Sequence, residues 1–348
     1  MERYIAIDNV CAWPNLTMMP NGDIIATIFN QPGHGICEGD VECWASEDGG
    51  RLWQLRGTPA VHEPTTNRMN VAAGLAHDDT LVVLASGWDK RPPKGQGKHG
   101  NVGQQVLPAW TCLSTDGGRT WTRGEDIPLP GDESQRIIPF GDIVKMPQGK
   151  LGACIYSWEP PNKHNAYFYT SNDNGRSWSM CGPIRKGNTN ETTPIALADG
   201  RLLAAARTLD DQHLELLEST DGGKNWNEKG PATLGMQHPG NLRQLACGRL
   251  LVSYGVRNPG AYGVAARLSS DAGATWSPPR QLVTLPDNLS RNKLYPDGAG
   301  EQTPYSEGQD CGYPSSVQLD DGIIVTAYYT RGSQEHERYH MGVVRWRV

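Results

Sequence analysis

STDGGRTW, at Ser114–Trp121, is one of five copies of a single pattern, Ser-x-Asp-x-Gly-x-x-Trp. The others are SEDGGRLW (Ser46–Trp53), SNDNGRSW (Ser171–Trp178), STDGGKNW (Ser219–Trp226) and SSDAGATW (Ser269–Trp276). Four fixed positions in five copies mean one supersecondary unit repeated along the chain. Asp and Gly supply a tight turn, and the Trp indole packs between neighbouring units.

A second pattern precedes each box and appears once more near the end of the chain. It is an apolar residue, a turn and an apolar run: MMPNGDIIATIF (Met18–Phe29), GLAHDDTLVVLAS (Gly74–Ser86), VKMPQGKLGACIYS (Val144–Ser157), IALADGRLLAAAR (Ile195–Arg207), RQLACGRLLVSYG (Arg243–Gly255) and VQLDDGIIVTAYY (Val317–Tyr329). Asn-Gly and Asp-Gly pairs between short apolar strands are strong hairpin signals. Each unit then reads strand A, turn, strand B, loop, strand C, box, strand D. Six such units predict an all-β fold, a six-bladed β-propeller with four antiparallel strands per blade. The last unit lacks a box. Its final strand, MGVVRWRV, is expected to pair with the N-terminal RYIAI, closing the ring with strands from both ends. No Ser/Gly-rich or charged linker divides the chain, so residues 1–348 read as one domain.

Composition excludes several functions. A net charge of −6 argues against a nucleic-acid partner, which demands a basic face. No apolar run approaches the length of a membrane span. MERYIAIDNV lacks the apolar core of a signal peptide, which predicts a cytoplasmic protein, or a secreted or periplasmic one if a leader was removed. The eight Cys show neither a CxxC pair nor metal-ligand spacing, so no metal and no cofactor are expected. Nothing in the sequence bears on the oligomeric state.

The topology also says where function belongs. The A–B turns and the boxes share one end of each unit. Residues just before strand A or just after strand B share the other, where the loops are longer. Before strand A stand Trp13, Arg68, Asn70, Phe140, Glu191, His238 and Tyr313. Glu191 and Tyr313 each lie nine residues before the Gly of their turn, so they occupy matching places in two units. After strand B come Asn30–Glu38, Trp88, Trp158, Arg207, Arg257 and Arg331. Trp and Arg together suit a glycan, since aromatic faces stack on sugar rings and guanidinium forks grip a carboxylate. The box aspartates fall at the opposite end and read as structural. Lys90–Gly100 and the long polar stretch Leu285–Gly312 are expected at the rim, the latter leading into Tyr313.

The boxes resemble the Asp-boxes of sialidases and related propellers over almost the whole chain. NETTPIALADGRLLAAAR (Asn190–Arg207) is similar to the sialidase segment whose Glu activates the nucleophile and whose last Arg joins an arginine cluster. DCGYPSSVQLDDG (Asp310–Gly322) resembles the segment of the tyrosine nucleophile, and Arg257 resembles the arginine that precedes the fifth box. The resemblance implies an exo-acting, retaining glycoside hydrolase that releases a terminal acidic sugar. Tyr313 would be the nucleophile and Glu191 its base, with Arg207 and Arg257 as substrate ligands. A neutral Tyr activated by Glu avoids the repulsion that an anionic nucleophile meets at a carboxylate-bearing anomeric carbon. The family's acid is an Asp in the first B–C loop; here that loop, NQPGHGICEGDVEC, offers Glu38 and His34. The N-terminal Arg-Ile-Pro motif is missing, with Trp13 where its arginine would stand; Arg68 is the candidate substitute and His238 a candidate rim contact. These departures leave another acidic or a neutral sugar open. Two further readings stay open: a polysaccharide lyase acting on uronates, and a glycan-binding propeller without activity.

Overall fold

A computed structural model describes residues 1–33, 35–89, 105–131, 136–159, 163–285, 310–333, 336 and 338–348. The expected rim segment Lys90–Gly100 and most of Leu285–Gly312 lie outside these residues, as does His34. The described chain is all-β, with a single 3-10 turn at Pro147–Gly149. Among the described residues no helix is long and apolar enough to cross a membrane.

Six units of four antiparallel strands follow one another. The first runs Asn15–Met18, Ile24–Phe29, Val41–Ser46 and Gln54–Ala60, each strand paired with the next. The first strands of the other units are Thr66–Leu75, Arg136–Lys145, Thr189–Ala196, Gln237–Gln244 and Cys311–Gln318. The last unit takes its fourth strand from the other end of the sequence. Glu2–Asp8 pairs antiparallel with His340–Trp346, Glu2 opposite Arg345 and Asp8 opposite His340.

One feature differs from six separate sheets. The first strands of the second and third units pair in parallel, Ala72 with Gly141 and Ala73 with Asp142. A short strand, Gln105–Val106, also adds to the edge of the second unit, and the whole becomes a nine-stranded sheet. Glycine allows the close approach: a Cβ on Gly74 would stand 2.4 Å from the carbonyl oxygen of Ile143.

The box chemistry is visible in bond after bond. In Ser171–Trp178, Ser171 Oγ donates to Asp173 Oδ1 at 2.7 Å and accepts from Gly175 N at 2.9 Å. Asp173 Oδ1 accepts from Ser177 N at 2.9 Å, and Trp178 Nε1 donates to Gly175 O at 3.0 Å. The Ser and Asp bonds recur at Ser46, Ser114, Ser219 and Ser269. The box is thus a turn whose backbone N–H groups find side-chain acceptors, while the indole of Trp53 or Trp178 fills an apolar core.

First strands touch in sequence, each unit with the next, and the strand at Cys311–Gln318 touches that at Asn15–Met18. Where they converge, Asp142 is buried. It accepts from Asn241 Nδ2 at 2.9 Å and Asn15 Nδ2 at 3.3 Å, with Arg243 at 3.5 Å. Asn241 Oδ1 takes the N–H of Ser316, and Ser315 Oγ takes that of Leu16. Side chains from the first, third, fifth and sixth units so form one hydrogen-bonded cluster.

Candidate active site

A cavity of about 650 Å³ opens at the starts of the first strands and the ends of the second strands. No box residue lines it, so the boxes stand away from it, as the topology requires. The first strands reach the cavity through irregularities. Pairing register shifts between Arg68 and Asn70, Phe140 and Val144, Thr189 and Thr192, Gln237 and Gly240, and Gly312 and Ser315. A bulge frees the ladder locally and re-aims a side chain. Glu191 and Tyr313 both sit inside such bulges, Tyr313 with a left-handed φ of 46° that an aromatic residue rarely adopts.

These two side chains meet. Tyr313 Oη donates a short hydrogen bond to Glu191 Oε1. On the other carboxylate oxygen, Arg207 Nη1 donates to Oε2 at 2.6 Å, and both partners of this ion pair are buried. Burial first, then the adjacent Glu191 charge, pushes the Tyr313 hydroxyl well above the usual tyrosine range. At neutral pH it keeps its proton, with a carboxylate oxygen in place to receive it. Arg257 lies beside the ring, 5.6 Å from its centroid, and donates from Nη2 to Cys311 O at 3.0 Å.

Aromatic rings surround the pair. Trp13 meets Tyr313 edge-on at 6.1 Å, stacks on Phe29 at 5.5 Å and has a left-handed φ of 40°. Phe140 and Tyr329 flank Tyr313 at 6.0 and 5.6 Å. Across the cavity Trp88 and Trp158 form a T-shaped pair at 5.8 Å, and Trp88 Nε1 is fixed by Asn70 Oδ1 at 3.0 Å. Asp310 also lines the cavity and accepts from the hydroxyls of both Tyr329 and Tyr339.

The structure gathers Tyr313, Glu191, Arg207, Arg257 and Trp13 at one cavity. It places three other candidates elsewhere. Arg68 is buried off the cavity, its guanidinium 3.5 Å over the Trp110 ring and donating to Pro108 O at 3.1 Å. Burial pushes its pKa down to about 10. His238 is fully buried and does not line the cavity. Burial first, then the charges of Arg207 and Arg257, holds it far below the usual histidine range, so its ring is neutral. Glu38 is exposed outside the lining, although Gly35 of the same loop does line the cavity. Sequence reading missed Asp310 and His164. His164 lines the cavity from the start of a third strand, on the rim where the B–C loop ends; burial lowers its pKa and Glu191 partly offsets this. Asp310 is the first residue of the segment quoted around Tyr313, three positions before it, a nearness that could have singled it out.

A family model described as a BNR repeat-like domain matches residues 22–326. A curated sialidase of Micromonospora viridifaciens is 26% identical over 230 residues, 59% of this chain and 35% of the relative's length. Among solved structures, a Dyadobacter fermentans protein of unknown function has a TM-score of 0.76 at 21% identity, covering 99% of this chain and 97% of its own. The Hadza microbial sialidase has a TM-score of 0.69 at 17% identity, over 97% of this chain and 65% of its own. Trypanosoma rangeli sialidase has a TM-score of 0.66 at 13% identity, over 98% of this chain and 55% of its own.

Proposed function

Because the chain belongs to the BNR repeat-like domain family, within the sialidase superfamily, we propose that it is a retaining exo-glycoside hydrolase acting on a glycan. The scaffold is a single-domain, six-bladed propeller: the four-stranded units are its blades, and the cycle of contacts among first strands supports a closed ring.

The observation that carries the reading is the hydrogen bond from Tyr313 Oη to Glu191 Oε1 inside the cavity. Tyr313 Oη attacks the anomeric carbon as its proton passes to Glu191. The bond from that carbon to the leaving oxygen breaks, and an acid protonates that oxygen. Arg207 keeps Glu191 oriented until then. In the second half, water attacks the glycosyl–tyrosine bond, its proton goes to the conjugate base of the acid, and Glu191 returns its proton to Tyr313. Two displacements retain configuration. The acid is assigned to the first B–C loop, Asn30–Glu38, whose Gly35 lines the cavity and which carries the candidates Glu38 and His34. Arg257 and Trp13 bound the sugar site.

Tyr313→Phe should lower kcat on a cleaved aryl glycoside on the order of 10⁴-fold or more, with the thermal melt unchanged. Glu191→Gln should lower it about 10²–10⁴-fold. Full activity in Tyr313→Phe rules the mechanism out. An ultraviolet-absorbing unsaturated product would mean lyase chemistry instead.

A further inference from the structure

Three strands of the sixth unit meet at one carboxylate. Asp310 immediately precedes the first strand, Cys311–Gln318; Tyr329 stands next to last in the second, Ile324–Thr330; Tyr339 immediately precedes the third, His340–Trp346. Asp310 Oδ1 accepts from Tyr329 Oη, and Oδ2 accepts from Tyr339 Oη. Both tyrosines are buried, and their rings lie nearly parallel, 8° apart in plane with centroids 6.4 Å apart. Burial first, then the Asp310 charge, holds the Tyr329 hydroxyl well above the usual tyrosine range, so it keeps its proton and donates. Tyr339 O in turn accepts from Val10 N at 3.1 Å, which ties down the segment leading to Trp13.

Two strained residues rest on the ring of Tyr329. Its centroid lies 5.6 Å from that of Tyr313 and 5.7 Å from that of Trp13, edge-on to both. Tyr313 and Trp13 have left-handed φ values of 46° and 40°. Such conformations persist only where the surroundings over-determine them. The strand ladder does not fix Tyr313, because pairing register shifts between Gly312 and Ser315. Side chains hold it instead: Glu191 at the hydroxyl, and Trp13, Phe140 and Tyr329 around the ring. Stacking alone leaves a ring free to slide and tilt. Two hydroxyls bound to one carboxylate remove that freedom from Tyr329 and Tyr339 together.

We infer that Asp310 is a positioning residue: it orients Tyr329 and Tyr339, and through Tyr329 it sets Tyr313 against Glu191. Its kinetic consequence rests on the hydrolase reading; the placement of Tyr313 does not. Three full-chain variants test it: Asp310→Ala; Tyr329→Phe with Tyr339→Phe, which cuts the same two bonds and keeps both rings; and all three substitutions together. Rates are read on a panel of 4-nitrophenyl glycosides of neutral and acidic sugars. On the member that the wild type cleaves, Asp310→Ala should lower kcat about 10–10²-fold and leave KM within about twofold. The double variant should lose a similar amount, and the triple variant no more than either, because residues acting as one unit are not additive. Crystal structures of the single and double variants should show Tyr313 Oη more than about 3.2 Å from Glu191. A raised KM with kcat unchanged in Asp310→Ala would make Asp310 a sugar ligand and overturn the inference. Full kcat in the double variant, or losses that multiply in the triple variant, overturn it too. Tyr313 still bonded to Glu191 in both variants overturns it whatever the rates. If Asp310→Ala does not fold, the double variant decides by its kcat and its structure. A wild type that cleaves no member of the panel overturns the hydrolase reading, while a displaced Tyr313 in the variants still upholds the inference.

Discussion

Glu191 has both carboxylate oxygens engaged inside the protein, by Tyr313 on one side and Arg207 on the other. Removing Arg207 alone would strand a buried negative charge. Arg207→Met should therefore cost about 3–5 kcal/mol of folding stability, read by urea unfolding. Arg207→Met combined with Glu191→Gln should recover most of that loss, because no charge is then left unpaired. A single variant as stable as wild type would contradict the ion pair's structural weight. The meeting of Glu191 with Tyr313 was legible in the sequence, because equal spacing from a turn glycine gives equal places in two units. Arg68 shows the opposite case. It precedes a strand as a site residue should, but register shifts immediately after it and its guanidinium stacks on Trp110. His238, in another such irregularity, turns wholly inward. Residue type and spacing do not reveal which way a bulged side chain points.

At the level of elements, the boxes were the most legible feature because their order comes from local bonds. Their Ser, Asp and backbone groups lie within a few residues of one another, so tertiary context has little to override. Ser171→Ala would leave the buried N–H of Gly175 without its acceptor, and should cost about 1–3 kcal/mol, measured by denaturant unfolding. The box aspartates give a pH dependence. Asp48, Asp116, Asp173, Asp221 and Asp271 all have lowered pKa values. For Asp221 the backbone N–H and then the side chain of Asn225 bring it down to about 2. A carboxylate depressed by folding stabilises fully above its unfolded value, about 4, and that contribution is lost as pH falls through the folded value. The melting temperature should therefore fall steeply below about pH 4, and less steeply in Asp221→Asn. Equal slopes in the two proteins would contradict this assignment.

The whole molecule depends on contacts between units that no local pattern announces. Hairpins and boxes predict the units and their number, but not the parallel join at Gly141 or the cluster around Asp142. That cluster draws on residues more than two hundred positions apart, such as Asn15 and Asn241, which meet only once the units have assembled. Asp142→Ala removes the acceptor for both amides and the partner of Arg243. It should cost about 3 kcal/mol and lower amide-exchange protection in the first strands of several units together. Loss confined to Arg136–Lys145 would show that the units stand independently. The strand Glu2–Asp8 carries a different consequence. Because Glu2 lies opposite Arg345 and Asp8 opposite His340, a pull that separates residues 2 and 345 loads the ladder from one end. The rungs would part singly at low force, like a zip fastener. Under tension the molecule would yield first at this seam, with the other five units still folded.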